Sequence, residues 1–380
     1  MKKYTEKIAS TDSKNNLNVI IWETEKEPIG VLQIVHGMAE YIDRYDNFAK
    51  YMTEQGFNVI GHDHLGHGHS VSDERDYGFF AEENGDKIII EDMHSVTQYA
   101  REKWEELPNF ILGHSMGSFC LRQYLTKYSN DVFGAIIMGT GWIPSAAALL
   151  GKTIATNTCK SKGSHTVNPL LIKLTLEPYN KPFAPARTNC DWLSRDEKQV
   201  DLYVNDKLCG FDFTAGAYKD FFTILEKIAK NRQLIGMRKS LPILITSGSV
   251  DPVGGKKACE KLNAQYKRCG IDDVTLKLWE NDRHEILNEL DKSDVYQYIY
   301  NWLKSREEIL KQIDASENLD KLNEVRVSAL GKKGALTELL KSMKEVAPQD
   351  RPKVGQMVNE VRAEIETALE TEKAKLEDRV

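Results

Sequence analysis

The fold class follows from one stretch of the sequence, Phe110-Ile111-Leu112-Gly113-His114-Ser115-Met116-Gly117. It begins as an apolar, strand-like run, and a helical pattern follows at Phe119–Lys127. A serine between two glycines on a strand-to-helix turn is the G-x-S-x-G nucleophile elbow, in which larger side chains would collide with the neighbouring elements. The stretch therefore predicts that Ser115 is a nucleophile, presented at the carboxyl end of a sheet by a turn that contains Gly113, His114 and Gly117.

The apolar runs around the elbow predict a buried parallel sheet. They are continuous rather than alternating, as expected of strands that helices cover on both faces. The predicted strands are Val19–Trp22, Val31–Val35, Asn58–Ile60, Phe110–Leu112, Ala135–Met138, Ile243–Thr246 and Val274–Leu278. Helical patterns lie between them at Tyr45–Glu54, Asp92–Glu105 and Phe119–Lys127. This alternation indicates the α/β class.

The strand rhythm stops between about Trp142 and Gln233. That stretch is rich in proline and has no strand-like run, although it follows directly on the predicted strand Ala135–Met138. An excursion of this length predicts a cap inserted into the α/β domain at about residues 142–235.

A serine hydroxyl needs a base, which this kind of fold supplies in the chain order Ser, Asp, His. His284 is the only histidine after position 165, and it lies in a polar loop after the last strand-like run. Asp251 follows the strand-like run Ile243–Thr246 and would hold the imidazole in one tautomer. We therefore predict Ser115, Asp251 and His284 as the catalytic residues.

Acyl transfer also needs backbone N–H donors for the oxyanion. One is predicted at Met116, the residue after the nucleophile. The other is predicted at Met38, in the turn that follows the buried strand Val31–Val35. One such donor contributes about 2.7–4 kcal/mol of transition-state stabilisation.

A histidine-rich stretch, His62-Asp63-His64-Leu65-Gly66-His67-Gly68-His69, is close to the H-x-H-x-D-H metal signature. The acid that this signature needs before its last histidine is replaced by Gly66. We therefore predict no metal site and no cofactor, and interpret the stretch as a turn after the strand Asn58–Ile60. In that turn Asp63 and the glycines would organise the rim of the active site.

The chain has 380 residues, a net charge of −6 and six cysteines without a C-x-x-C pair. The length suggests two or three domains, and the charge argues against a protein that coats nucleic acid. No apolar run approaches the ~20 residues of a membrane span. The cysteines favour free thiols in a reducing compartment, so we expect a cytoplasmic protein.

Three stretches together resemble bacterial lysophospholipases and monoacylglycerol lipases, which are α/β-hydrolases. These stretches are His36–Glu40 with Arg44-Tyr45, Gly61–Ser70, and Gly113–Gly117. The family's H-G-x-x-E-H-x-x-R-Y pattern has Tyr41 in place of its second histidine. Asp191–Asp196 and the segment after it, with Tyr203 and Phe211, also look like this family's cap.

The resemblance covers about residues 1–304 and implies an α/β-hydrolase fold with a cap. It implies hydrolysis of single-acyl lipid esters, with Ser115, Asp251 and His284 at the triad positions and Met38 and Met116 at the oxyanion positions. A transient contact with a membrane or micelle surface fits such a substrate. A general carboxylesterase and a small-peptide aminopeptidase remain alternatives, and the second would need an acid such as Glu40 or Asp212 placed for a substrate ammonium.

The composition changes abruptly near Ser305. Residues 306–380 contain no aromatic residue, histidine or cysteine, and their 14 basic and 16 acidic residues give 14 − 16 = −2. A helical pattern continues without Pro or Gly from Asp294 to Ile313, and further helices are predicted at Ser316–Leu330, Ala335–Met343 and from Pro352 to the end. Two such helices would pair as an antiparallel hairpin. The sequence therefore predicts a helical hairpin arm over residues 306–380, after a hydrolase domain over residues 1–305.

The tail resembles the N-terminal helical arm of the bacterial phenylalanine–tRNA synthetase alpha subunit, on Val325–Thr337, Pro348–Gly355 and Asn359-Glu360. In that enzyme the arm is a coiled coil that contacts tRNA. We hypothesise an engineered fusion through one shared helix, in which the arm is a rigid extension. Lys332, Lys333 and Arg351 could contact tRNA, but the negative tail argues against strong binding. A scaffold or assembly role of the arm is the alternative.

Overall fold

The computed structural model describes residues 1–271 and 273–314, and beyond these residues 326, 328–330, 362, 365–370 and 373. One eight-stranded sheet crosses the described part of the chain. Its strands are β1 (Lys2–Ala9), β2 (Asn16–Glu23), β3 (Gly30–Val35), β4 (Phe57–His62), β5 (Asn109–His114), β6 (Gly134–Met138), β7 (Ile243–Gly248) and β8 (Val274–Trp279).

The strand order is β1-β2-β4-β3-β5-β6-β7-β8. The pairs β1–β2 and β2–β4 are antiparallel, and every pair from β4 to β8 is parallel. The seven predicted strands and the α/β class are confirmed. The first strand, β1, was not predicted, because this edge strand is largely exposed and its polar sequence lacks an apolar run.

Nine α-helices accompany the sheet in the described residues: α1 (Asp46–Glu54), α2 (Gly85–Lys103), α3 (Met116–Tyr128), α4 (Ser145–Lys162), α5 (Pro169–Thr175), α6 (Glu197–Asn205), α7 (Ala215–Ile228), α8 (Gly255–Arg268) and α9 (Lys292–Asp314). Helix α2 begins seven residues before the predicted Asp92, with isoleucines at 88–90 in its first turns. Those residues favour a strand by propensity, but Ile89 and Ile90 are buried in the core, and this packing outweighs propensity.

Alternate residues of the central strands enter two separate cores, one on each face of the sheet. Ile111 packs with residues of α2, α3, α7 and α8. Its neighbours Phe110 and Leu112 pack with α1 and α9 on the opposite face. Burial on both faces explains why these strands have continuous apolar sequences.

The excursion predicted as a cap contains α4 to α7, between β6 and β7. Helix α7 packs against α4 and also against α3, and its Phe221 and Leu225 belong to the same core as Leu121 of α3. The end of the excursion is therefore anchored on the body. Its assignment as a separate cap remains a prediction.

Helix α9 crosses the change in composition without a break, as predicted. Its buried side chains include Val295, Ile299 and Leu303. Residues 326, 328–330, 362, 365–370 and 373 are helical. The rest of the predicted helices after residue 314, and the hairpin they would form, lie outside the described residues.

Candidate active site

Ser115 lies at the sharp turn between β5 and α3. Its φ of 50° and ψ of −120° lie outside the common regions for a residue with a side chain. The turn is held by hydrogen bonds from Ser115 N to Met138 O (3.0 Å) and from Ser118 N to Ser115 O (2.9 Å). Strained backbone of this kind is concentrated at functional sites, and it matches the elbow predicted from the sequence.

The two glycines of the elbow are required by close packing. A Cβ at Gly113 would collide with the carbonyl oxygen of Gly117, and a Cβ at Gly117 would collide with that of Val35. The oxygen of Val35 belongs to β3, the neighbouring strand. The turn can therefore approach the sheet only with glycine at both positions.

His284 and Asp251 form a buried hydrogen-bonded pair. Nδ1 of His284 lies 3.0 Å from both carboxylate oxygens of Asp251. Ser247 Oγ and Val253 N each donate to this carboxylate over 2.9 Å. Although burial opposes ionisation, His284 and these donors lower the pKa of Asp251, so the carboxylate is charged. With Nδ1 occupied, Nε2 of His284 is the nitrogen that remains for proton transfer.

The predicted oxyanion turn follows β3 and faces the elbow. Gly37 N donates to Glu40 Oε1 (2.6 Å) and Ala39 N donates to His67 Nε2 (3.2 Å). The backbone N–H groups on either side of Met38, those of Gly37 and Ala39, thus already donate hydrogen bonds within the protein. Met38 itself lines the same cavity as Ser115.

A buried charge network, which sequence reasoning missed, lies beneath these segments. Glu40 contacts Arg44 (2.5 Å), and the Arg44 guanidinium binds both carboxylate oxygens of Glu285 (2.8 Å each). Glu40 also accepts from Tyr45 Oη (2.9 Å) and contacts His114 Nδ1 (3.3 Å). The one signal in the sequence is the spacing of Glu40 and Arg44, which are four residues apart and could suggest an ion pair. Glu285 is too distant in sequence for its pairing with Arg44 to be predicted.

The network links the oxyanion turn, the elbow and the histidine loop. Although burial opposes charge, the Arg44 guanidinium lowers the pKa of Glu40 and of Glu285. Burial of the His114 ring opposes its protonation, but the Glu40 carboxylate raises the pKa of His114. The charge of Glu40 is therefore compensated by Arg44, although Glu40 also lines the cavity.

Arg44→Met should lower the free energy of unfolding by about 3–5 kcal/mol, because it leaves two carboxylates buried without their partner. The side chains of Glu40 and Glu285 are only 4 % and 5 % exposed. Urea unfolding of the purified variant measures the change. Arg101→Met, which removes a half-exposed cation paired with Asp131, is the matched control and should alter stability little. Equal stability of the two variants would contradict the role assigned to Arg44.

The histidine-rich stretch folds into a buried turn. Asp63 accepts hydrogen bonds from the backbone N–H groups of Ile42 and His69, each at 2.8 Å, as expected of a residue that organises the turn. The ring nitrogen Nε2 of His67 accepts a hydrogen bond from Ala39 N, and Nε2 of His36 accepts one from His64 N (3.0 Å). These bonds occupy lone pairs that a metal would require.

The rings of four buried histidines are in contact: His36, His62, His64 and His67. Burial lowers the pKa of all four, to about 3 for His62 and for His67. Neither ring nitrogen of His62 has a hydrogen-bond partner in the described part of the chain. Protonating these rings in the folded state is therefore costly.

The unfolding free energy should fall as the pH drops from 7 to 5. Unfolded histidine has a pKa near 6.5, so below that value the unfolded chain binds protons that the folded protein excludes. His62 and His67 would each contribute about 2 kcal/mol of this loss at pH 5, while His114, with its raised pKa, offsets part of it. Urea unfolding at the two pH values measures the change.

His62→Leu should flatten this pH dependence, because leucine fills the site without a titrating group. His69→Leu, on the exposed part of the same turn, is the matched control and should leave the slope as it is. An unchanged slope in His62→Leu would show that the buried rings do not cause the acid sensitivity.

One cavity of about 1010 Å³ is lined by Ser115, His284, Met38 and Met116. The wall above them is mainly apolar and comes from α4, α5 and α7, with Leu150, Leu171, Ile172, Phe221, Phe222 and Leu225. The structure thus brings the predicted residues together beneath an apolar chamber.

Within the described residues, one group of acids has a spacing that could hold a metal ion: Asp282, Glu289 and Asp291. The guanidinium of Arg195 contacts all three, at 2.9 Å for Glu289 and 2.8 Å for Asp291. A cation of the protein therefore already occupies this group.

A mixed sheet with a serine elbow and a buried Asp–His pair at the strand ends defines an α/β-hydrolase. The chain belongs to the Hydrolase_4 family of serine aminopeptidases, S33, whose sequence profile matches residues 26–291.

The first three quarters of the chain are similar to several lipases and esterases. The monoglyceride lipase of Rattus norvegicus is 25% identical over 287 residues, which cover 75% of this chain and 86% of the lipase. A thermostable carboxyl esterase from Bacillus coagulans, solved in complex with glycerol, superposes with a TM-score of 0.75 at 27% identity and covers 81% of this chain and 99% of the esterase. An abhydrolase domain-containing protein of Dictyostelium discoideum is 27% identical, but the chain spans only 30% of its length.

The tail matches a different family. The N-terminal domain of class II aminoacyl-tRNA synthetases matches residues 317–379. The phenylalanine–tRNA ligase alpha subunit of Lachnoclostridium phytofermentans is 62% identical over 71 residues, which cover 19% of this chain and 21% of the ligase. The two resemblances predicted from the sequence are confirmed, and their adjacency is consistent with a fusion.

A search of the described helices finds none that is both long and apolar enough to cross a bilayer. All six cysteines lie in the described residues and none forms a disulfide.

Proposed function

We propose that this protein hydrolyses carboxylic esters of single-acyl lipids through an acyl-enzyme on Ser115. One observation carries the proposal: the strained serine and the Asp251-bound His284 line the same large, mainly apolar cavity. Ligand cavities for drug-sized molecules span about 300–1,000 Å³, so this cavity suits a long acyl chain better than an acetyl group. The lipase and esterase relatives support the same chemistry.

In the proposed reaction Ser115 Oγ attacks the ester carbonyl while His284 Nε2 takes its proton. Asp251 keeps the imidazole in the tautomer that leaves Nε2 free and stabilises the imidazolium that forms. The N–H groups of Met38 and Met116 bind the tetrahedral oxyanion. His284 then protonates the departing alcohol, and a water activated by the same nitrogen releases the fatty acid.

The charges of the cavity favour an uncharged head group. Lys181 is the only Lys or Arg among the described lining residues, and it is exposed, while Glu177 and Asp212 add negative charge. Binding of a phosphodiester is strongest where cationic groups surround it. We therefore propose a glycerol ester, rather than a lysophospholipid, as the better substrate.

Release of free fatty acid from a monoacylglycerol and from a lysophosphatidylcholine, measured side by side with Ser115→Ala as the blank, tests both statements. The proposal expects Ser115-dependent release with the monoacylglycerol ahead. Release from lysophosphatidylcholine alone would refute the head-group argument. Cleavage of a short soluble ester without either lipid would favour the general carboxylesterase.

An aminopeptidase, which the family description permits, would need an acid for the substrate ammonium. Of the two candidates, Glu40 is bound by Arg44, whereas Asp212 is exposed at the cavity. Cleavage of an amino-acid anilide that is lost in Asp212→Asn would favour this second function.

We propose that the tail is a helical extension, and that the hydrolase domain ends later than Ser305. Arg306 is 8 % exposed, and its guanidinium lies 2.8 Å from Asp273 of the body and 4.0 Å from the Trp302 ring centroid. A truncation after Asp314 keeps these contacts. If the arm only extends the chain, the truncated protein should keep its esterase activity and its oligomeric state. Cytoplasmic location and the absence of strong tRNA binding by the arm remain predictions.

A further inference from the structure

The cap segment, Asp191–Asp196, lies along the loop that carries His284. The backbone N–H of Glu285 donates to Leu193 O (2.7 Å), and that of His284 donates to Trp192 O (3.4 Å). Ser194 Oγ donates to Asn288 O over 2.9 Å. Three hydrogen bonds thus join the segment to the histidine loop.

Side chains extend this pairing in both directions. Arg195 binds Asp282, Glu289 and Asp291, which come before and after His284. Arg283 reaches back to the carbonyl oxygens of Asp191 and Ser194. The carboxylates of Asp282 and Glu289 are fully buried, and the Arg195 guanidinium contacts both of them.

The opposite side of the loop rests on the end of β7. A Cβ at Gly248 would collide with the carbonyl oxygens of Asp282 and Arg283, so the contact is close. Val250 N donates to Asp282 O over 3.2 Å. This inner support also carries Asp251, which holds Nδ1 of the imidazole. The support from β7 and Asp251 therefore sets the tautomer of His284, whereas the cap segment supports the other side of the histidine loop.

The imidazole itself touches the outer support. The ring centroids of Trp192 and His284 lie 4.9 Å apart, and the His284 ring is also 4.8 Å from the His114 ring. A shift of the cap segment would therefore move the wall that limits rotation of the imidazole. A misplacement of about 1 Å in a catalytic group can lower a rate about 100-fold.

We infer that the cap segment is part of the machinery that orients the catalytic base, and that Arg195 is its positioning residue. The inference rests on the proposed function, because it assigns the support of His284 in that reaction. Arg195 does not line the cavity, so it acts on the reaction through the histidine loop rather than through the substrate. Without its guanidinium, the three neighbouring carboxylates lose the cation that they share, and the loop loses one of its ties to the cap segment.

The test compares Arg195→Met with Arg187→Met in the full-length protein. Arg187 is the matched control, since it also binds acids from the cap, Asp201 and Glu197, but does not contact the histidine loop. The first measurement is the rate at which a fluorophosphonate labels Ser115, because this reaction needs the serine and its base but no lipid. The second is kcat and KM on a soluble ester.

Arg195→Met should label 10- to 100-fold more slowly and lose kcat by a similar factor, with KM changed less than about twofold. Arg195→Lys should recover part of the rate, because an ammonium compensates the charge without the fork of the guanidinium. Arg187→Met should label at the wild-type rate. Circular dichroism and thermal melting verify that each variant is folded.

Ser194→Ala gives an independent test if Arg195→Met fails to fold. It removes the hydrogen bond to Asn288 without leaving a buried charge, and should slow labelling about threefold. Wild-type labelling of folded Arg195→Met or of Ser194→Ala, an equal loss in Arg187→Met, or a change in KM alone would overturn the inference. Absence of labelling in the wild-type protein would instead refute the proposed function.

Discussion

Ser115→Ala should lower kcat for ester hydrolysis by about 10⁶ and leave the melting temperature close to that of the parent protein. The loss is large because the reaction has no acyl-enzyme route without the hydroxyl. Stability should change little, since alanine at φ 50° is strained as serine is, and the backbone bonds of the elbow to Met138 and Ser118 remain. Steady-state kinetics on a soluble ester measures the effect.

Ser95→Ala is the matched control for this change. Its hydroxyl donates only to Glu91 O one turn earlier in α2, away from the cavity. It should retain full activity. Turnover in purified Ser115→Ala within about tenfold of the parent protein would refute the role of Ser115 as nucleophile.

Asp251→Asn should lower kcat by about 10⁴ while the site keeps its shape. The amide oxygen can still accept from Val253 N, but the amide NH₂ would face Nδ1 of His284 as a donor. The imidazole would then carry its proton on Nε2, where it cannot act as a base. The rate of fluorophosphonate labelling at Ser115 should fall with kcat, whereas KM should change little.

Asp131→Asn controls for the loss of a carboxylate as such, because Asp131 pairs with Arg101 on the surface. It should leave both rates unaltered. If Asp251→Asn kept its labelling rate, the Asp251–His284 pair would be structural rather than catalytic.

Asp251→Asn and Arg195→Met act on different supports of the same imidazole. Asp251 decides which nitrogen carries the proton, whereas the cap segment limits where the ring lies. The first should therefore cost more than the second, since a wrong tautomer removes the base and a displaced ring only weakens it. The order of the labelling rates separates the two roles.

The buried network of Glu40, Arg44 and Glu285 gives a physical reason for the polar core beneath the elbow. It joins the oxyanion turn to the residue after His284 through one guanidinium. Because every charge in it is paired, the segments can be held closely without an uncompensated buried ion.

Local sequence determined the elements that local chemistry requires. Gly113 and Gly117 predicted the elbow because only glycine fits that turn, and continuous apolar runs predicted the strands because both faces of the sheet are covered. The unbroken helical pattern through Ser305 predicted α9. The change in composition after it predicted two different kinds of protein in one chain, and the comparisons confirm the two families that the motifs resemble.

Tertiary structure alone decided the contacts between distant segments. Arg44 meets Glu285, and Arg195 meets Asp282, across 241 and 87 residues of chain. No pattern in the sequence identifies these partners, because the residue type alone does not tell whether a charged side chain is solvated or forms a buried ion pair. Helix α2 likewise begins at Gly85 because its isoleucines enter the core. The sequence by itself thus determined the candidate chemistry, and the folding of the sheet and the cap around it decided what orients that chemistry.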